Sequence, residues 1–254
     1  PHAFTFCAFL VLMLTIAEAY GALVDDHFGI GDWWGLGFVE DVFAVAVLIA
    51  LVVFTVIRYR ASPARRGRAS RFYHSHTGAA WGILAMIFAV IATLLVYRGA
   101  QMNTGHFPYR PYPWSFASWL VAKALHPLGA ANQGVETFFV LAQLVVVLAF
   151  LVFVTYSKHL HIMLAPFNIY FARKPNALGP LLPMYSGDHR IDFENPADDD
   201  NFGRAKIEDF TVKGLLDLAT CTECGRCQTA CPASNTGKVL NPKLLITGLR
   251  DHLF

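Results

Sequence analysis

Residues Phe38–Arg71 read FVEDVFAVAVLIALVVFTVIRYRASPARRGRASR. From Phe38 to Ile57 the only charges are Glu40 and Asp41, both at the start. A helix needs about 20 apolar residues to cross a hydrocarbon core, so this stretch reads as a transmembrane span. The arginines that follow, Arg58, Arg60, Arg65, Arg66, Arg68 and Arg71, set its direction. The preceding loop, Asp25–Gly37, has three Asp, two Trp and no Lys or Arg. The positive-inside rule therefore puts the arginine loop in the cytoplasm.

Working outward, Ala3–Val24, Gly78–Tyr97 and Val135–Tyr156 are apolar over similar lengths, interrupted only by Glu18 in the first and Glu136 at the mouth of the last. None alternates as a barrel strand does, so the fold class is mainly α, a transmembrane helical bundle. The first span then runs outward and the fourth returns inward, where Lys158, Arg173 and Lys174 follow it. Everything beyond Ser157 is expected to be cytoplasmic at a bacterial plasma membrane. Composition agrees: 55% of the 254 residues are hydrophobic and 15% are charged. Soluble domains carry about 25% charged residues, which argues against an ordinary soluble enzyme. A net charge of +2 is too small for a nucleic-acid surface. The chain opens on Pro1 and His2 without a basic leader, as at the inner mouth of a helix whose upstream sequence is absent.

Between the third and fourth spans, Trp114–Leu128 reads as a short helix lying in the interface, either an aromatic anchor or a lid over a lipid-soluble substrate. Pro175–Asn201 is a Pro-, Gly- and Asp-rich tether. Short helices are expected over Phe210–Leu218 and Pro242–His252, on either side of the cysteines.

Those cysteines carry the most specific signal. Cys221, Cys224, Cys227 and Cys231, followed by Pro232, have the spacing C-x2-C-x2-C-x3-C-P of bacterial ferredoxins. Cys221, Cys224 and Cys227 would hold one [4Fe–4S] cluster, and Cys231 would ligate a second. A zinc site more often shows two separated C-x2-C knuckles. Each cluster lacks protein ligands in this sequence, so a second such run is expected downstream, about 40–60 residues on. The expected organisation is a transmembrane domain over 1–165, a cytoplasmic connector over 166–210, and the N-terminal half of a two-cluster ferredoxin-like domain over 211–254. Cys7, alone in the first span, reads as a small buried apolar residue.

Topology also sorts the histidines. His2, His74, His76, His159 and His161 all fall at the cytoplasmic ends of spans. A six-coordinate haem needs two imidazoles from different helices. On a continuous helix His159 and His161 point about 200° apart, so one of them faces inward, and the same holds for His74 and His76. The alternative is a layer of interfacial histidines near lipid headgroups. Intramembrane acids are functional candidates by default, which singles out Glu18, about 24 Å along its helix from His2. Its readings are a proton or quinone role, or a snorkelling or helix-pairing acid. The member of His74 and His76 that is not a ligand is a comparable quinone or proton candidate.

The segment FVTYSKHLHIMLAPFN, Phe153–Asn168, resembles the last transmembrane helix of the gamma subunit of respiratory nitrate reductase, a five-helix cytochrome b. The resemblance implies axial haem b ligation by His161 and His2, and a missing first helix upstream. The family's second haem would fall on Leu12 and Gln143, which are not ligands, so one haem is expected. The stretch LLDLATCTECGRCQTACPA, Leu215–Ala233, with TGKVLNPK after it, resembles iron–sulfur oxidoreductases of the heterodisulfide-reductase type. Within that group the chain is similar to membrane-bound electron-transfer-flavoprotein dehydrogenases. The likeness implies an oxidoreductase that takes electrons from electron-transfer flavoprotein, passes them through [4Fe–4S] clusters and haem b, and delivers them to menaquinone. Other donors, a dithiol or a 2-hydroxy-acid dehydrogenase, stay open, as does a membrane-anchored iron–sulfur sensor without haem. A transporter would not need the cysteine run, and no Gly/Pro-broken helix pair is present.

Overall fold

The computed structural model describes residues 2–21, 23–25, 27–30, 34–172, 183–204 and 206–254. Arg173, Lys174 and part of the tether lie outside the described residues, as do Asp26, Asp32 and Trp33 of the acidic loop. The chain divides into two compact units. The first runs up to Ser70 and includes His76–Phe153; the second comprises Arg71–Ser75 and Val154–Phe254.

The first unit is helical. Helix α1 spans His2–Gly21, α2 Trp34–Arg60, the short α3 Pro63–Arg66, α4 Thr77–Thr104, α5 Phe116–Leu125 and α6 Asn132–Thr155. Among the described residues four helical stretches are long and apolar enough to cross a membrane, and they contain α1, α2, α4 and α6. These are the four spans read from the sequence, and they make the unit a membrane domain. Phe4, Ile49, Phe88, Phe138 and Val145 face outward, an apolar surface suited to lipid. Cys7 joins that outward face rather than the core, contrary to expectation. Helix α1 is apolar on all sides, so its sequence did not mark which face packs inward. Inside, Ala8, Leu12, Ala44, Val47, Leu51, Ile91, Leu94 and Val140 pack together.

At the end of the bundle away from the arginine loop the core turns polar. Arg98 on α4 is only 2% exposed, and its guanidinium pairs with Glu18 of α1 and, at 2.7 Å, with Glu40 of α2. Glu18 also accepts a long bond from the Ile30 amide, 3.5 Å. The Tyr109 ring lies 5.3 Å beneath the guanidinium carbon. Asp41 accepts from the amides of Ala117 (2.7 Å) and Ser118 (2.9 Å) and from the Ser118 hydroxyl (2.7 Å). These amides belong to the first turn of α5, where helical N–H groups have no partner of their own. Helix α5 therefore docks on α2 through a carboxylate and lies against α4, where a Cβ on Gly99 would fall 2.9 Å from the Ala122 nitrogen. Near the start of α6, Glu136 accepts from Thr104 Oγ1 at 2.6 Å and lies 3.1 Å from His106 Nδ1.

The second unit is also helical: α7 His161–Tyr170, α8 Val212–Ala219, α9 Arg226–Ala230, α10 Pro232–Asn235 and α11 Pro242–Leu253. Its described strands are β1 Tyr185–Ser186 and β2 His189–Arg190, an antiparallel pair. The anticipated ferredoxin-like fold, which would need longer strands, is not seen among the described residues. The described part of the tether is turn-rich and held locally, with His189 Nε2 2.6 Å from Asp200 Oδ1.

Removing one partner from a buried ion cluster leaves the others charged and unpaired, at a cost of about 3–5 kcal/mol. Arg98→Met is expected to lose stability on that scale, read as a lower thermal unfolding midpoint in detergent. Adding Glu18→Gln and Glu40→Gln to it should recover much of the loss, because no unpaired charge remains.

Candidate metal centre

The cysteine segment is built by short helices with strong local signals. Thr211 caps α8, its hydroxyl accepting from the Gly214 amide at 3.2 Å. Helix α8 ends at Ala219, and the Cys221 amide closes its last turn on the Leu218 carbonyl at 3.2 Å. The loop then curls back through two residues with left-handed backbone, Glu223 (φ +55°) and Gly225 (φ +74°). Cys227 lies in the first turn of α9, and Cys231 precedes Pro232, which opens α10. All four thiols are free; those of Cys224 and Cys227 are exposed and those of Cys221 and Cys231 half-buried. Partial burial pushes the Cys221 thiol pKa up, against the opposing pull of the Glu223 amide and Arg250. Among the described residues no three His, Cys, Asp or Glu side chains are gathered closely enough to hold a metal ion.

Helix α11 covers this loop with a polar face. Asn241 caps it, accepting from the amides of Lys243 (3.1 Å) and Leu244 (3.3 Å). Lys243, Thr247 and Arg250, at helical spacing, are the buried residues of α11, while Leu245 is exposed. Arg250 donates to the Cys221 carbonyl at 3.0 Å and to Glu223 Oε1 at 2.5 Å. Glu223 is itself buried, so this pair anchors the loop between two of the cysteines. Sequence reading found the helix but missed its inward face. A hydrophobic pattern directs attention to the leucines, whereas the Lys243, Thr247, Arg250 spacing marks the contact.

The histidines stand differently from a continuous-helix reading. Helix α6 ends at Thr155, and Ser157 has extended backbone, its hydroxyl accepting from the His159 amide at 3.2 Å. His159 therefore lies in a tight turn and His161 opens α7, with ring centroids 5.7 Å apart instead of on opposite helix faces. His74 lies in a turn with φ +52°, and His76 immediately precedes α4, so helical spacing does not apply to them either. His2, in the first unit, has its ring 6.5 Å from that of Phe54. His161 belongs to the second unit. Glu18 is paired with Arg98, a residue the sequence reading left just outside its span. The clue was available: two buried acids near one end of the bundle require a cation. Leu12 packs in the core, and Gln143 Oε1 accepts from Thr93.

Four helices long and apolar enough to cross a membrane are thus followed, in the same chain, by a cysteine-rich helical unit. The chain is 30% identical to the EtfAB:quinone oxidoreductase of Syntrophomonas wolfei, over 99% of its own length and 34% of that protein. It is 43% identical to the "Probable iron-sulfur-binding oxidoreductase FadF" of Bacillus subtilis, over 49% of the chain and 17% of the relative. A "Probable membrane-anchored ferredoxin" of Chromohalobacter salexigens is 48% identical over 44 residues, 17% of the chain and 7% of that protein. The chain is thus related to membrane iron–sulfur oxidoreductases, and it spans about a third or less of the length of the curated relatives it matches. No family model matches, and no solved structure does.

The thiolate is the reactive form of cysteine, so a raised pKa moves reaction to higher pH. In metal-free protein, iodoacetamide labelling of Cys221, followed by mass spectrometry across pH 7–10, should have a higher midpoint pH than labelling of a free thiol. Unfolding in urea should bring that midpoint down.

Proposed function

We propose that this chain is the electron-transfer part of a quinone-linked oxidoreductase, carrying electrons between a soluble donor and menaquinone in the bilayer. The observation that carries the reading is the C-x2-C-x2-C-x3-C-P run on a helical unit covalently continuous with four membrane-spanning helices. The names of its relatives support it, one as a quinone oxidoreductase of EtfAB and another as iron-sulfur-binding. Electron-transfer flavoprotein is accordingly the proposed donor.

Four thiols at ferredoxin spacing are the donor set such a cluster takes, although their side chains are not gathered around one point in this structure. Cys224 and Cys227 present accessible thiols, and the left-handed turns at Glu223 and Gly225 curl the loop between the ligands. Cys221, Cys224 and Cys227 would hold the first [4Fe–4S] cluster, and Cys231 a second whose other ligands lie elsewhere. Such a cluster supplies one-electron transfer at a potential set by its surroundings. Arg250 and Glu223 hold the loop in place. His2 and His161 are the proposed axial ligands of a single haem b. Glu18, His74 and His76 are the candidates for handling quinone or protons. In this reading 1–165 is the cytochrome-like membrane domain, 166–210 the connector and 211–254 the cysteine domain, with the arginine loop and the cysteines on the cytoplasmic side of a bacterial inner membrane.

The likeness to a membrane-anchored ferredoxin favours a second reading, an anchored iron–sulfur carrier without haem. A dithionite-reduced minus oxidised spectrum of the detergent-extracted protein separates the two. A sharp reduced b-type α band, lost in His161→Ala, is expected; a wild-type protein without that band overturns the haem and leaves the ferredoxin reading. In parallel, Cys227→Ser should lower bound iron and acid-labile sulfide per chain relative to wild type, and unchanged iron would remove these cysteines from the cluster.

A further inference from the structure

The segment Arg71–Ser75 follows the second span in sequence and precedes the third, yet it belongs to the second unit. Lys243 of α11 holds it there. This lysine is 1% exposed. The three N–H donors of its ammonium meet the Arg71 carbonyl at 3.2 Å, the Ser75 hydroxyl at 3.0 Å and the Tyr73 carbonyl. Tyr73 and Ser75 flank His74, whose φ of +52° is uncommon for a residue with a side chain. One ammonium grasping both neighbours over-determines that strained conformation.

The strap made by these residues rests on the cysteine loop. A Cβ on Gly225 would lie 2.3 Å from the Arg71 carbonyl oxygen, closer than any side chain permits. Gly225 stands between Cys224 and Cys227, so the strap touches the loop at its tightest point. The same carbonyl that packs on Gly225 accepts from Lys243. The lysine's positive charge is thereby fixed one hydrogen-bonded peptide away from the ligand loop.

We propose that Lys243 is a positioning residue for the metal centre: it clamps residues 71–75 into the cradle of the first cluster and holds a positive charge that raises the cluster's reduction potential. The inference rests on the reading that Cys221, Cys224 and Cys227 hold that cluster. A thiolate-ligated cluster is anionic, and one-electron reduction adds a further negative charge without making or breaking a bond. A cation fixed nearby, where solvent does not screen it, favours the reduced form.

The test uses the full-length protein extracted from membranes, comparing wild type, Lys243→Met, Lys243→Arg and Ser75→Ala. Two quantities are read: the cluster's midpoint potential by redox titration followed by electron paramagnetic resonance, and hydrogen exchange of the amides of residues 71–75. Lys243→Met should shift the reduction equilibrium about tenfold toward the oxidised form, 59 mV for one electron, and speed exchange across the strap. Lys243→Arg should restore most of the potential, since it keeps the charge. An unchanged midpoint in Lys243→Met, or a shift that Lys243→Arg leaves unrestored, overturns the inference. If Lys243→Met fails to accumulate, Ser75→Ala decides the clamp: faster exchange supports it and wild-type exchange overturns it. A wild-type protein with no iron–sulfur signal overturns the proposed function, and this inference with it.

Discussion

Arg98 places a guanidinium among apolar helices, and much of one end of the membrane domain is arranged around it. A cation buried there needs carboxylates, and buried carboxylates need a cation, so Glu18, Glu40 and Arg98 must meet at one height. Apolar packing alone tolerates sliding of one helix along another; an ion pair at a single height does not. The register of α1, α2 and α4 follows from that meeting. Their neighbours in sequence extend the constraint to α5. Asp41, next to Glu40, satisfies the amides at the start of α5, and Gly99, next to Arg98, lets α5 approach α4 closely. Two adjacent pairs of residues, together with Glu18, therefore position four helices.

The second unit solves a different problem by related means. Its cysteine loop leaves the thiols of Cys224 and Cys227 exposed. Its order comes from charged side chains turned inward. Arg250 ties Glu223 and the Cys221 carbonyl to α11, and Lys243 ties the strap 71–75 to the same helix. Glu223 and Gly225 take left-handed backbone, which turns the loop sharply between the cysteines. Polar contacts suit this role because hydrogen bonds specify direction, whereas apolar contacts mainly specify area.

The four spans were legible because a membrane core imposes a length and a composition on any helix that crosses it, and both are local properties of the chain. The cysteine spacing was legible for a similar reason, since a cluster constrains residues within eleven positions of one another. The short helices flanking it were placed from the sequence, while the structure supplied their caps, Thr211 and Asn241, which act within one turn. The helical spacing applied to the histidine pairs did not survive, because Ser157 breaks the helix before His159 and His74 sits in a left-handed turn.

What the sequence determined by itself was therefore a set of features fixed by neighbours along the chain: the spans, the expected sidedness of the loops, the short flanking helices and the cysteine run. Tertiary structure alone decided that Arg98 lies inside the bundle with Glu18 and Glu40, that Cys7 faces outward, and that α11 turns Lys243 and Arg250 inward. It also decided that Arg71–Ser75 belongs with the cysteines. Each of these joins residues distant in sequence, 172 positions apart for Lys243 and Arg71. The free energy of such a contact depends on burial and on the charge opposite, and neither exists until the chain has folded.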